Sequence, residues 1–196
     1  MHKLVDDILM FWFGPLSKEG LSVPEQHELW FKSSPDTDKK CKLLFGAAVE
    51  QAISGALDHW QESDRGLVAL LVLLDQLPRN IYRDTAAAFS GDKQALALAQ
   101  RAIAAQRHLN IPLIHRVFLY LPLEHSENLD IQEQSVSLFD DLAQTSGLEQ
   151  MKNSHRYAVA HRDVIAQFGR FPHRNAILGR TSTPAEVQHI KTHGGF

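Results

Sequence analysis

The fold is decided by the stretch Cys41-Lys-Leu-Leu-Phe-Gly-Ala-Ala-Val-Glu-Gln-Ala-Ile-Ser-Gly-Ala56. Its apolar side chains recur at the i, i+3, i+4 spacing of one helix face. Outward from this stretch the same period returns in nearly every segment, and alternating strand patterns with hairpin dipeptides do not occur. The sequence therefore predicts an all-α protein that forms a single helical domain over residues 1–196.

Capping and breaking residues predict where the helices begin and end. A first helix from about Leu4 should end at Phe13-Gly14-Pro15, and Gly66–Leu77 should be a central buried helix because it is apolar on nearly all sides. Thr183-Pro-Ala-Glu186 is a capping box that should start the last helix. Further helices are predicted over about 24–31, 92–106, 111–121, 130–143 and 154–168.

Composition and charge exclude several classes of function. The formal net charge of -3 gives no general attraction to nucleic acid or to an anionic membrane, so neither is expected as a partner. The apolar run Leu67–Leu74 is too short to cross a bilayer, and the N-terminus does not resemble a signal peptide. Cys41 is the only cysteine, which fits a cytoplasmic location.

Three stretches combine charged and apolar residues where helices are predicted to end. They are Leu74-Asp-Gln-Leu-Pro-Arg-Asn-Ile-Tyr-Arg83, Arg116-Val-Phe-Leu-Tyr-Leu-Pro-Leu-Glu-His-Ser-Glu127 and Phe168-Gly-Arg-Phe-Pro-His-Arg-Asn-Ala-Ile-Leu-Gly-Arg180. Prolines should break the first two helices, and Gly169 should cap the third. Residues 153–190 hold five arginines and no lysine. Because the guanidinium fork binds carboxylates and phosphates in bidentate fashion, this choice indicates specific recognition rather than solubility.

These stretches give the candidate site residues. A carboxylate beside an imidazole can act as an acid–base pair, which makes Glu124, His125 and Glu127 the candidate catalytic residues. The expected ligand is a small carboxylate- or phosphate-bearing metabolite, bound where the three stretches converge. The candidate ligand-binding residues are Arg79, Asn80, Arg83, His161, Arg170, His173, Arg174, Asn175 and Arg180.

Alternatives stay open from the residues alone. Asp75 sits at the unfavourable end of a helix dipole and is interpreted as a structural ion-pair partner of Arg79 or Arg83. The charged clusters could be salt-bridge locks in a helical scaffold that binds a peptide or a partner protein. A metal-dependent hydrolase is a further alternative, although no metal ligands are assigned and no cofactor is expected. The sequence decides neither catalysis nor the oligomeric state.

The three stretches resemble a widespread, mainly bacterial domain-of-unknown-function family, number nine-two-four. The opening Ile8-Leu-Met-Phe-Trp-Phe-Gly14 and the cap Ser182-Thr-Pro-Ala-Glu186 are similar to the start and the final helix of that family. Leu77 departs from the pattern, where an aromatic residue is expected. The resemblance implies a tetratricopeptide-like array of antiparallel helices and implies no established activity.

Overall fold

The computed structural model describes residues 2–32 and 34–195, and its regular elements are helices. The α-helices are α1 (His2–Phe13), α2 (Gln26–Phe31), α3 (Pro35–Ile53), α4 (Asp64–Leu71), α5 (Leu77–Ile81), α6 (Asp92–Ala104), α7 (Leu113–Glu124), α8 (Leu129–Ser146), α9 (Glu149–Phe168) and α10 (Pro184–His193). Short 3₁₀ turns lie at Asp58–Glu62, Ala86–Phe89, Arg107–Asn110 and Pro172–Arg174. Within the described ranges β-pairing is limited to an isolated bridge between Leu16 and Ser22. The predicted all-α class is confirmed.

The chain divides into two compact units. The first unit runs to Arg83 and resumes over Ala87–Pro122, and the second joins Asp84–Ala86 to the residues from Leu123 onward. The boundary falls inside α7, directly after Pro122. The single domain over residues 1–196 stays a prediction.

The first unit is built around the α4 region, where every residue from Gly66 to Asp75 is buried. Helix α3 turns Cys41, Phe45 and Val49 into this core, as its apolar stripe predicts. Leu44 was also predicted for this face, but it is 50% exposed. It lies at the edge of the apolar stripe, and there it meets solvent.

Pro78 does not end the central helix as predicted. Residues Val72–Gln76 form a π-helical turn, after which α5 continues through Pro78 to Ile81. Proline has no N–H to donate to the carbonyl four residues earlier, and the wider turn accommodates that loss. The carbonyl of that earlier residue, Leu74, closely approaches Gly91, where a Cβ atom would lie 2.2 Å from the Leu74 oxygen.

The second unit contains α8, α9 and α10. Helices α8 and α9 pack against each other, and Gly169 closes α9 in the left-handed conformation that the sequence predicts. The capping box of Thr183 and Glu186 starts α10 as predicted. One expectation was wrong, because Pro122 lies inside α7 and does not end it. None of the helices in the described part of the chain is long and apolar enough to cross a membrane.

Candidate functional site

Arg79 in the first unit is bound by two carboxylates. Its Nη1 and Nη2 donate to the Asp92 carboxylate at 2.9 and 3.2 Å, and Nη2 lies 3.5 Å from Oδ1 of the buried Asp75. Burial alone would lower the pKa of Arg79, but the charges of Asp75 and Asp92 outweigh that effect and raise it. Arg79 is therefore held as a cation inside an ion-pair network.

Asn80 and Arg83 share the carboxylate of Asp38. Arg83 donates from Nε and Nη2 at 2.7 and 2.9 Å, and the Asn80 amide donates at 3.0 Å. The Arg83 hydrogen bonds lower the pKa of Asp38. Asp38 belongs to the first turn of α3, so this contact ties the end of α5 to the start of α3.

Arg180 and Glu127 form the corresponding contact in the second unit. The Glu127 carboxylate accepts from Arg180 Nη1 at 2.7 Å and Nη2 at 3.0 Å, and from the backbone N–H of Phe171 at 2.8 Å. Burial acts to raise the pKa of Glu127, but these hydrogen bonds prevail and lower it. Glu127, predicted as catalytic, thus holds the loop after α9 in place.

Arg170 binds a carboxylate that the sequence indicates only as a helix cap. It donates to Glu186 from Nε at 2.6 Å and from Nη2 at 2.9 Å, while Glu186 also accepts the Thr183 N–H at 2.7 Å. Glu186 is 2% exposed. The Arg170 hydrogen bond and then the Thr183 N–H lower the pKa of Glu186 to about 2.

Glu124 and His161 form a buried carboxylate–imidazole pair. Oε1 of Glu124 lies 3.2 Å from Nδ1 of His161, which also lies 2.8 Å from the Tyr157 carbonyl oxygen. Both side chains are buried. Since both neighbours of Nδ1 are acceptors, the neutral ring carries its proton on Nδ1 and its lone pair on Nε2.

Arg174 and two further histidines lie close to His161. Burial is the main cause that lowers the pKa of His161, and the charges of His125, His173 and Arg174 lower it further. The guanidinium of Arg174, which is buried, lies 4.6 Å from the ring centroid of Phe171. The same Phe171 ring and the His161 ring form an edge-to-face pair, with the centroids 5.7 Å apart. We call the set Glu124, His125, His161, His173 and Arg174 the Glu124–His161 centre.

Buried polar atoms are incompletely hydrogen-bonded in the second unit. Gln132 donates to the carbonyl oxygens of Glu124 and Ser126 at 2.6 and 2.7 Å, while its own Oε1 is buried without a hydrogen-bond partner among the described residues. Asn175 donates to Ser182 Oγ at 3.0 Å, and its own Oδ1 is likewise buried without a hydrogen-bond partner among the described residues. Buried polar groups are normally satisfied by protein or ordered water, so these two oxygens are exceptions.

The predicted site residues therefore separate into two groups. Arg79, Asn80 and Arg83 lie in the first unit, and the other candidates lie in the second. The sequence did not identify Asp38, Asp92 or Glu186 as partners. All three lie in the first turn of a helix, where acids favour the dipole, and that position is the local signal that was available.

Metal ligation finds no support in the side-chain positions. Among the side chains that the structure describes, no group of three or more His, Cys, Asp and Glu residues is placed to hold a metal ion. The arrangement instead offers a buried acid–base pair beside a guanidinium group.

Fold and site together define an all-α protein in which arginine–carboxylate pairs hold helix ends within each unit, and the second unit contains a buried glutamate–histidine pair. The chain belongs to the DUF924 family, described as bacterial protein of unknown function, which matches residues 8–194. It is similar to a protein of unknown function from Agrobacterium tumefaciens, with 35% identity and a TM-score of 0.81 over 97% of this chain and 98% of that one. No curated protein matches the chain.

Proposed function

We propose that the protein binds a small anionic metabolite at the Glu124–His161 centre. The observation that carries the proposal is the buried Glu124–His161 pair, whose atoms lie 3.2 Å apart beside a buried guanidinium. A buried arginine and two partly exposed imidazoles lie beside this pair, and groups of these kinds donate hydrogen bonds to anions. Polar atoms that converge in a buried setting are characteristic of ligand sites.

The proposed site uses fewer arginines than the sequence-based prediction, which took ligand-binding arginines from more than one of the three stretches. Each of Arg79, Arg83, Arg170 and Arg180 makes at least two hydrogen bonds to a protein carboxylate. We assign these four to the structural locks, because an anionic ligand would have to displace a carboxylate to reach them. We propose the ligand-binding role for Arg174, His125 and His173 because their charges act on His161 of the buried pair.

Turnover is a natural extension of binding at this centre. The Nε2 lone pair of His161 can accept a proton from a bound substrate, and the Glu124 carboxylate would stabilise the imidazolium that forms. An anion bound beside the ring would also offset the positive groups that lower the pKa of His161. Binding would then bring the imidazole closer to the range in which it works as a base at neutral pH.

A thermal-shift screen tests the proposal directly. The protein is heated with a panel of small carboxylates, phosphate and phosphate esters, each compared with a chloride control at equal ionic strength. A ligand that binds the folded state at roughly a hundredfold excess over its Kd adds about 2.7 kcal/mol of stability. We expect at least one anion to raise the Tm, and a panel without any such anion would contradict the proposal.

Variants locate the site once an anion is found. Arg174→Ala should abolish the ligand-induced shift relative to its own ligand-free Tm, and Arg174→Lys should retain part of it. Arg162→Ala is the matched control, because Arg162 lies on α9 of the same unit and pairs with exposed Glu133. An unchanged shift in Arg174→Ala would place the ligand elsewhere.

The scaffold alternative is supported by a different observation. Leu43 and Leu44 of α3 are 85% and 50% exposed, which is unusual for neighbouring leucines on one helix. A scaffold would keep its partner after Arg174→Ala and lose it after changes on α3.

Elemental analysis of the purified protein tests the alternative that the protein is a metal-dependent hydrolase. A cytoplasmic location remains our proposal, and it is supported by a buried thiol at Cys41.

A further inference from the structure

The solvent-facing side of α3 carries an apolar patch with charges at both ends. Leu43 is the most exposed large apolar residue described, and Leu44 and Ala47 beside it are also exposed. Lys39 and Lys40 lie toward the N-terminal end of this face, and Glu50 lies toward the other end. We define the α3 face as these residues: Lys39, Lys40, Leu43, Leu44, Gly46, Ala47 and Glu50.

The charged side chains of the α3 face form no ion pair in the part of the chain that the structure describes. No carboxylate pairs there with Lys39 or Lys40, and no cation pairs with Glu50. Lys40 instead lies 5.3 Å from the ring centroid of Phe11 in α1, which places α1 beside this face. Met10 of α1, which is 60% exposed, extends the apolar surface at that edge.

We propose that the α3 face is an interface between two copies of this chain, with the α3 helices antiparallel about a two-fold axis near Phe45. In this register residues i and 90 − i of the two copies lie at the same height along the paired helices. Leu43 then faces the partner's Ala47, so that a large side chain meets a small one. Lys40 faces the partner's Glu50, and the two-fold axis repeats that pair.

Charge decides between this register and its neighbour. Shifting the axis to the height of Leu43 would set leucine against leucine, but it would bring the exposed Asp36 to the height of the partner's Glu50. Two acids would then lie near each other at each end of the interface, and Lys40 would lose its acidic partner. With the axis at the height of Phe45, Lys40 meets the partner's Glu50 at each end of the interface, and the two acids stay apart. A self-complementary face of this kind is what a two-fold dimer requires.

Sedimentation velocity over a concentration series tests the dimer. We expect a reversible dimer in the wild-type chain and a monomer in Leu43→Glu. Leu109→Glu is the matched control, because Leu109 is also in the first unit, is 52% exposed and lies outside the α3 face. Circular dichroism confirms that each variant remains folded. A monomeric wild-type chain, or a Leu43→Glu dimer as tight as the wild type, would overturn the proposal.

A charge exchange tests the register. Lys40→Glu should raise the dimer Kd about tenfold or more, because it places two acids together twice in each dimer. Glu50→Lys should weaken the dimer similarly by placing two cations together. The double variant Lys40→Glu with Glu50→Lys should recover a Kd close to that of the wild type. Single variants without effect, or a double variant as weak as the singles, would overturn the proposed pairing.

Discussion

At the scale of single residues, arginine and lysine have different tasks in this protein. Arg79, Arg83, Arg170 and Arg180 hold carboxylates that lie on other turns or helices. Lys39 and Lys40 are exposed and pair with no carboxylate among the described residues. The planar guanidinium satisfies both oxygens of a carboxylate at once, and an ammonium group cannot do so. Arginine is therefore found where a side chain joins two turns or helices through a carboxylate.

Glu186→Gln should change how stability depends on pH. The ordinary pKa of Glu186 is 4.5, and in the folded protein it falls to about 2. The carboxylate therefore stabilises the fold fully above about pH 4.5, and this contribution is lost as the pH falls toward 2. Urea unfolding should give a large difference between wild type and variant at neutral pH, and the difference should shrink below pH 4.5.

A control separates this effect from general acid denaturation. Glu133→Gln removes an exposed carboxylate on α8 that pairs with Arg162, so its effect should be small at every pH. If the Glu186→Gln difference stayed constant from about pH 7 to pH 3, the lowered pKa would be wrong.

Part of the residue-level picture was predictable from sequence. The candidate residues Glu124 and His161 do meet, and the arginine-rich loop does follow a glycine cap. The partners Asp38, Asp92 and Glu186 could not be assigned, because each is separated from its arginine by between 13 and 45 residues. A contact between residues so far apart in the sequence depends on how the helices pack. A local sequence pattern does not show that packing.

At the scale of elements, the two internal prolines account for the main errors in helix boundaries. Proline usually ends a helix, but Pro78 and Pro122 lie within continuous helical segments. The π turn at Val72–Gln76 absorbs the first of them and brings the Leu74 carbonyl against Gly91. The hydrophobic period of a sequence does not distinguish a π turn from an α-helix. It also does not show where the surrounding core compensates for the hydrogen bond that a proline removes.

Gly91→Ala should be strongly destabilising for this reason. The added Cβ would lie 2.2 Å from the Leu74 oxygen, so either the π turn or the start of α6 must move. We expect a loss of at least about 2 kcal/mol in the free energy of unfolding, measured with urea. Ser90→Ala, at the exposed neighbouring position, should change it by less than about 0.5 kcal/mol. Equal effects in the two variants would refute the close packing.

At the scale of the whole molecule, the all-α class and the family follow from sequence, and the activity does not. Helical period and caps recur along the entire chain, so the fold class is specified many times over. A ligand site is specified once, by a few side chains whose burial and tautomer depend on packing. The Glu124–His161 centre could be proposed only after burial, distances and neighbouring charges were known.

Nitrogen NMR of the histidine rings tests the central claim most directly, with His161 assigned by comparison with His161→Asn. We predict a neutral ring at pH about 7 that carries its proton on Nδ1. Addition of the anion that raises the Tm should shift both ring nitrogens of His161 toward the imidazolium, and His59, exposed in the first unit, should not change. A ring protonated on Nε2, or His161 resonances that do not respond to that anion, would contradict the account.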